Sequence, residues 1–201
     1  MSKVNVDTIE PQSASTLTLG ASGDTVDVPS GATIDVTGAT VTGLTTGKIL
    51  QVVTAEKTDT FSHNVSSWVD VTDMSVTLTP ASTSSKILLL SSITIGTNGN
   101  SAYAYLRFHS SAAGGAVFVG DTAGSRTSLS WGGSSASASA IAGNTHFSYV
   151  DSPSTTSAVT YKLQFFSFDA QIGYINRTYD DTDSFGYIRG ASSITALEIG
   201  A

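Results

Sequence analysis

Apolar and polar residues alternate with a period of two along most of the chain. In the segment 103–109, for example, Ala104, Leu106 and Phe108 fall on one face, which is the pattern of a half-buried strand. No window of a dozen residues combines apolar positions at helical spacing with good helix formers. The pattern therefore predicts an all-β protein, with Ala104, Leu106 and Phe108 in its core.

Strands lengthen and become more apolar from residue 48 onward, which marks a domain boundary near Gly47. The segment 86–95 carries the strongest signal and is apolar on both faces in its first half, so we expect it at the centre of a sheet. Predicted strands cover 49–54, 68–78 (broken at Thr72 and Asp73), 86–95, 103–109, 116–119, 137–150, 159–168, 174–176 and 193–199. Eight or nine strands separated by Gly-rich and Asn-Gly turns predict a two-sheet β-sandwich, with a jelly roll favoured over an immunoglobulin-like arrangement.

Residues 13–47 differ from the rest, because each short strand there offers only two apolar side chains between glycines. One copy cannot build a core from such pairs, whereas three chains wound around one axis can bury them against each other. We therefore predict a trimeric, intertwined β-stalk, and the alternative is a flexible Gly/Ser/Thr linker. The apolar pairs at the expected trimer interface are Leu17 with Leu19, Val26 with Val28, and Ile34 with Val36. The predicted organisation is an anchor (1–12), a stalk (13–47) and a knob (48–201).

Composition narrows the classes of function. Charged residues make up 12% of the chain, about half of the usual share, and 32 serines and 28 threonines replace them, while 40% hydrophobic residues still favour folding. The net charge of −7 argues against nucleic-acid binding, and the absence of cysteine removes disulfides and thiolate chemistry. Apolar runs are too short to span a membrane, and the first residues lack the apolar stretch of a signal peptide. We expect synthesis in a host cytoplasm without Sec export and no membrane insertion.

Two groups of segments have a distinctive sequence: 4–10, 17–26 and 29–34 near the N-terminus, and 151–162, 174–178 and 189–199 near the C-terminus. These segments resemble fibre-like structural proteins of marine tailed phages such as cyanophages. The resemblance implies a homotrimer in the virion, with the N-terminus bound to other virion proteins and the knob pointing outward. Such phages carry proteins of this style on tails and on heads, so the resemblance leaves the attachment point open.

Catalytic patterns are missing from the sequence. It contains no Gly-x-Ser-x-Gly elbow, phosphate loop, dinucleotide fingerprint or His-Glu-x-x-His helix. The three histidines, His63, His109 and His146, are far apart along the chain, and on strands each is more typical of a surface or half-buried position. We expect no enzyme and no cofactor.

An acidic run offers a weak candidate for a metal site. Asp180, Asp181 and Asp183 lie close together in a predicted turn, and Ca²⁺ prefers clustered carboxylate oxygens. The run lacks the EF-hand spacing, and a solvated turn explains the same residues better.

Recognition is better supported than catalysis, because sugar rings stack on aromatic side chains and sugar hydroxyls pair with polar ones. The candidate receptor-binding residues are Trp131, Tyr174, Tyr179, Phe185 and Tyr187. The face of Tyr103, Tyr105 and Arg107 is interpreted instead as a trimer interface, where Tyr and Arg are enriched.

The leading hypothesis is a short trimeric tail fibre or spike of a phage, which attaches to a host surface glycan or protein. The alternative is a head fibre or capsid decoration protein that serves particle stability. A glycan depolymerase is less favoured, because such enzymes need a long groove with paired carboxylates.

Overall fold

The computed structural model describes residues 9, 16, 18–19, 21–37, 49–97, 104–133, 142–168 and 172–200. Contacts along the backbone divide the chain into two units, Met1–Leu44 and Thr45–Ala201. Each unit is described by itself.

The first unit contains no strand within residues 21–37. Two turns shape this segment, in which the Asp24 N–H donates to the Ala21 carbonyl (3.0 Å) and the Ala32 N–H to the Pro29 carbonyl (3.0 Å). The strands predicted around residues 26 and 34 are therefore absent from the single chain, because no second described segment pairs with them. Pairing between copies stays a prediction. All the described side chains that were predicted at the trimer interface of the stalk are exposed: Leu19, Val26, Val28, Ile34 and Val36. Leu17 lies outside the described residues.

The second unit is an all-β structure of two sheets, and its described residues contain eleven strands and no α-helix. The strands are β1 Ile49–Lys57, β2 Phe61–His63, β3 Val69–Leu78, β4 Lys86–Thr97, β5 Ala104–Ser110, β6 Gly115–Val117, β7 Trp131–Gly133, β8 Ala142–Asp151, β9 Val159–Ser167, β10 Gly173–Ile175 and β11 Ser192–Ile199. The prediction of an all-β fold with two sheets is confirmed. The number of strands exceeds the predicted eight or nine because β2 and β7, each only three residues long, were not predicted.

Sheet A contains β1, β2, β4, β8, β10 and β11, and sheet B contains β3, β5, β6, β7 and β9. Strands from the first half of the unit pair in nested order with strands from the second half. β1 pairs with β11, β3 with β9, β4 with β8, and β5 with both β6 and β7, always antiparallel. These four sets of pairs alternate between sheets A and B, and the short pair β2–β10 is a further nested pair that belongs to sheet A. β4 lies at the centre of sheet A, between β8 and β11, as its apolar pattern predicts.

The core lies between the two sheets and consists of their inward faces. Ala104, Leu106 and Phe108 are fully buried in it, so the prediction from alternation is confirmed. Other large apolar side chains without exposed area belong to β3, β4, β9, β10 and β11: Met74, Ile87, Leu89, Ile93, Tyr161, Leu163, Phe165, Ile175 and Ile194.

The predicted break at Thr72 and Asp73 is wrong, since β3 is one strand with an irregularity between Asp70 and Ser75. Asp73 has a φ of 63° in this irregularity. The bulge brings both side chains to the fully buried ammonium of Lys57, which lies 3.1 Å from the Thr72 hydroxyl and 3.6 Å from the Asp73 carboxylate. A buried ammonium needs such partners, and the bulge supplies them.

The predicted strand 174–176 ends one residue early, because Asn176 has a left-handed φ of 64°. Its buried amide donates to the carbonyls of Lys57 (2.8 Å) and Asp59 (2.9 Å), and its Oδ1 accepts from the Ser192 hydroxyl (2.6 Å). Asn176 thus connects β1, β10 and β11, and the chain turns there into the loop that carries most predicted site residues.

Candidate functional site

The loop between β10 and β11 brings together two of the predicted receptor-binding residues. Tyr174 and Tyr179 have ring centroids 5.9 Å apart, and the guanidinium of Arg177 lies 4.4 Å from the Tyr174 ring centroid. Tyr174 is buried, and burial raises the pKa of its hydroxyl above the ordinary value. Its ring therefore serves packing within the loop more than contact with a ligand.

Two arginines hold Asp181 at the base of this loop. The Asp181 carboxylate lies 3.2 Å from Arg177 Nη1 and 2.5 Å from Arg189 Nη2. Arg177 also donates to the carbonyls of Thr178 (3.0 Å) and Tyr179 (2.6 Å). The Asp181 carboxylate, one of the three in the acidic run, is thus paired with two guanidinium groups. Within the described ranges, no group of three or more His, Asp or Glu side chains has the arrangement of a metal site.

The remaining loop residues surround a small polar cavity of about 270 Å³. Asp183, Tyr187 and Arg189 contribute to its lining, and Phe185 at the tip of the loop is fully exposed. Asp180 lies outside the lining, and the Thr178 hydroxyl donates to its carbonyl (2.7 Å). The loop therefore presents the exposed ring of Phe185 beside a cavity that is lined by charges of both signs.

Trp131 is separated from this loop in the fold. It lies on β7 opposite Leu106, faces inward and packs against the core while half-buried. The structure thus places it in the wall of the sandwich, apart from the other predicted receptor-binding residues.

A row of three aromatic rings crosses the outer face of sheet B, and we name Trp68, Phe166 and Tyr105 the aromatic row. Phe166 and Tyr105 are direct cross-strand partners with ring centroids 5.8 Å apart and nearly parallel planes, at 23°. Trp68 precedes β3 and lies 5.4 Å from Phe166. All three rings are half-buried. The ring centroid of Phe168, two residues after Phe166, lies 6.4 Å from that of Tyr105.

A glycine on the neighbouring strand β7 leaves room for the ring of Tyr105 at the end of the aromatic row. Gly132 is the partner of Tyr105, and a Cβ there would lie 2.9 Å from the Tyr105 ring. The tyrosine ring therefore lies over the β7 backbone, which only a residue without a side chain permits.

Next to the aromatic row, two residues further along the strands, runs a polar row of Asp70, Gln164 and Arg107. Arg107 Nε donates to Gln164 Oε1 (2.8 Å), and Gln164 Nε2 donates to Asp70 Oδ1 (2.8 Å). Lys162 completes the network through Asp70 Oδ2 (2.6 Å). The Arg107 guanidinium also lies 4.1 Å from the Trp68 ring centroid, so the two rows are in contact.

Electrostatics fix the charge state of the polar row. Burial raises the pKa of Asp70, but hydrogen bonds from Lys162 and Gln164 and the charge of Lys162 outweigh burial and hold the pKa below its ordinary value. Burial lowers the pKa of Arg107, which remains a cation because the ordinary value is far above neutrality. Each charge has a partner in the sheet.

The outer face of sheet A has a different chemistry. Val52, Leu197, Leu88 and Val150 are cross-strand partners in one line over four strands, and we name them the aliphatic row. Val52 and Val150 are 57% and 51% exposed, so water covers much of this row in the single chain. Beside it, Leu90 lines a shallow cleft of about 460 Å³ whose other walls are mainly serine and threonine.

Some residues of these two outer faces were predicted from the sequence. Tyr105 and Arg107 were predicted on one outward face, and the structure places them side by side there, whereas Tyr103 lies outside the described residues. Trp68 and Phe166 were missed, because only the pairing register between β3, β5 and β9 shows that they neighbour Tyr105. The aliphatic row was missed for the same reason, although the apolar character of both faces of β4 and β11 was visible in the sequence.

No protein-family model and no curated protein matches this chain. Among solved structures, one similar chain comes from the structure of infectious bursal disease virus, Gt strain, at 15% sequence identity and a TM-score of 0.37. The match covers 75% of this chain and 38% of that chain, so this protein spans well under half of its neighbour's length. At this TM-score the likeness carries no conclusion about function. Within the described ranges, no helix has the length and hydropathy that crossing a membrane requires.

Proposed function

We propose that this chain is a structural protein of a phage virion, a short homotrimeric fibre or spike that attaches to the host surface and catalyses no reaction. The resemblance of both chain ends to fibre-like phage proteins supports this proposal. The N-terminal residues would bind other virion proteins, and the second unit would form the exposed knob.

The nested strand pairing supports a jelly roll for the knob. When each early strand pairs with a late strand in reverse order and the pairs alternate between two sheets, the chain is a long antiparallel hairpin rolled into a sandwich. An immunoglobulin-like sandwich has a different strand order, with its strands A, B, E and D in one sheet and C, F and G in the other.

The aliphatic row is the observation that carries the proposal of self-association. It joins four uncharged side chains in one line on an outer sheet face, where a monomeric protein places polar residues. Thr54, Thr195 and Ser148 lie in the next row on one side, and Lys86, which donates to the Ser152 hydroxyl (2.7 Å), lies in the row on the other side. The line of apolar side chains itself carries no charge that a second copy would have to dehydrate. The exposed apolar pairs of residues 21–37 are a second surface of the same kind in the same chain.

Attachment at the tail can be distinguished from decoration of the head on intact particles. A gold-labelled antibody against the second unit should mark one end of the virion or its tail in electron micrographs. Label distributed over the whole capsid surface would contradict the tail-fibre proposal and favour a decoration protein.

A further inference from the structure

The outer face of sheet B combines two features that rarely occur together on a solvated sheet. Three aromatic rings lie in line across three strands, and a hydrogen-bonded polar row runs parallel to them within side-chain reach. The rings remain accessible, since Trp68, Phe166 and Tyr105 are only half-buried, and Phe168 beside them is 45% exposed. Such a surface can stack planar apolar faces and hydrogen-bond polar edges at the same time.

We infer that the aromatic row and the polar row form a binding site for an extended, uncharged oligosaccharide of β-1,4-linked pyranose rings. The inference rests on the proposed attachment function, for which it names the class of ligand.

The rings determine the shape of the ligand. A β-1,4-linked pyranose exposes a flat array of C–H groups, which packs on an aromatic ring, and its chain is extended. Ring centroids in the aromatic row are 5.4 and 5.8 Å apart, a spacing set by neighbouring strands and close to the repeat of such a chain. Successive sugar rings can therefore pack along the row, at one end of which the Arg107 guanidinium lies over Trp68, whereas a coiled α-1,4-linked chain cannot follow the row.

The polar row determines the charge of the ligand. Arg107 and Gln164 offer donors, Asp70 offers acceptor oxygens, and Lys162 already neutralises Asp70 at 2.6 Å. Asp70 and Lys162 are paired with each other, and the Arg107 guanidinium is engaged by Gln164 and by the Trp68 ring. A neutral ligand that both donates and accepts hydrogen bonds can therefore use this row without breaking the ion pair. Sugar hydroxyl groups do both.

Two other occupants of this face are less compatible with its chemistry. Single-stranded nucleic acid also stacks on aromatic rings, but its phosphates require clustered cations, whereas Lys162 in the polar row is paired with Asp70 and the chain has a net charge of −7. A second copy of the chain would dehydrate Asp70, Lys162 and Arg107, although the uncharged aliphatic row on sheet A is available for self-association.

The test is isothermal titration of the full-length protein with the β-1,4-linked glucose hexamer, and in parallel with the α-1,4-linked glucose hexamer. We expect binding of the β-linked hexamer at least about tenfold tighter than that of the α-linked hexamer, together with a change in tryptophan emission. Trp68→Ala should weaken binding by about tenfold or more, because it removes one stacking ring. Phe118→Ala, which removes a 45% exposed ring that stacks on Tyr149 rather than on the aromatic row, should leave the affinity unchanged.

If Trp68→Ala does not fold, the Trp131→Phe variant replaces it, because Trp68 is then the only tryptophan of the chain. A change in its fluorescence on addition of the β-linked hexamer reports binding beside Trp68. Equal affinity for both hexamers, absence of binding at millimolar sugar, or binding of single-stranded oligothymidine instead would overturn the inference. So would dissociation of the oligomer by Trp68→Ala, which would assign this face to subunit contact. Light scattering on the same samples separates the two proposals, since an intact trimer that binds no sugar contradicts only the glycan site.

Discussion

A few buried polar side chains join strands that are far apart in sequence. Asn176 connects the end of β10 to the carbonyls that follow β1 and to Ser192 at the start of β11. The Tyr161 hydroxyl donates to Asp151 at 2.7 Å and links β9 in sheet B with β8 in sheet A. Because buried polar groups are expensive to leave without partners, each of these residues affects stability more than its size suggests.

Asn176→Ala should destabilise the second unit by about 3 kcal/mol or more. The change leaves the carbonyls of Lys57 and Asp59 without their donor and puts a β-carbon without compensating hydrogen bonds at a left-handed φ of 64°. Urea unfolding followed by circular dichroism measures the loss. Asn64→Ala, at an exposed asparagine, should change stability by less than about 0.5 kcal/mol, and a similarly small effect at Asn176 would contradict the structural role assigned to it.

Glu198 should make stability depend on acid pH. Burial raises the pKa of its carboxyl, but hydrogen bonds from Gln51 (2.6 Å) and the Ala81 N–H (2.7 Å) outweigh burial, so the pKa lies below its ordinary value. The stabilisation is therefore complete above the unfolded-state pKa, about 4.3, and is lost as the pH falls through the lower folded-state pKa.

Urea unfolding of Glu198→Gln at neutral pH and at successively lower pH tests this assignment. The variant should be less stable than the wild type at pH 7, because its amide meets two donors, and its stability should fall less steeply in acid. Parallel pH profiles for the two proteins would show that another carboxylate carries the acid dependence.

At the scale of elements, β4 depends on a glycine where the loop after β10 crosses it. A β-carbon at Gly96 would lie 2.2 Å from the carbonyl oxygen of Arg177, a distance that no relaxation of a side chain relieves. The absence of a side chain at this position therefore sets how closely the Arg177 loop approaches sheet A.

Gly96→Ala should cost about 2 kcal/mol or more, because the Arg177 backbone has to move away from β4. Gly143→Ala is the matched control, since Gly143 is paired with Ile95 on the adjacent strand and a β-carbon there meets nothing within 4 Å. Thermal unfolding of both variants compares them directly. Equal melting temperatures would mean that the loop does not approach β4 as described.

Alternation along a single strand was enough to predict the core residues of β5, because burial repeats every second residue, and the apolar character of both faces of β4 was enough to predict its place at the centre of a sheet. Register was not predictable, since it depends on partners that are distant in sequence, and so Trp68 and the aliphatic row were missed. The single strand β3 was predicted as two because a bulge that serves the buried Lys57 looks like a turn in sequence. Asn176 was assigned to a strand because its left-handed φ follows from tertiary hydrogen bonds.

At the scale of the whole second unit, the two outer faces of the sandwich differ in chemistry. Sheet A presents the uncharged aliphatic row, and sheet B presents aromatic rings beside paired charges. An aliphatic surface is suited to contact between copies, and an aromatic and polar surface to a ligand that reaches the particle from solution. The proposed roles of the two faces are therefore independent and can be removed separately.

Val52→Asp combined with Val150→Asp should weaken the oligomer and shift its mass on dilution toward that of a folded monomer. Each substitution puts a charge on an outward position, so the core is unaffected while contact between copies would bury two carboxylates. Ser75→Asp, an exposed position on sheet B, is the control and should keep the oligomer. An unchanged oligomeric mass in the double variant would show that the aliphatic row is not the contact surface.

The mass of the full-length protein in solution tests the central claim most directly. Size-exclusion chromatography with light scattering at micromolar concentration should give about three times the chain mass of 20.6 kDa, in agreement with a trimer that buries the aliphatic row and the apolar pairs of the first unit. A mass equal to one chain at the same concentration would contradict the trimeric fibre.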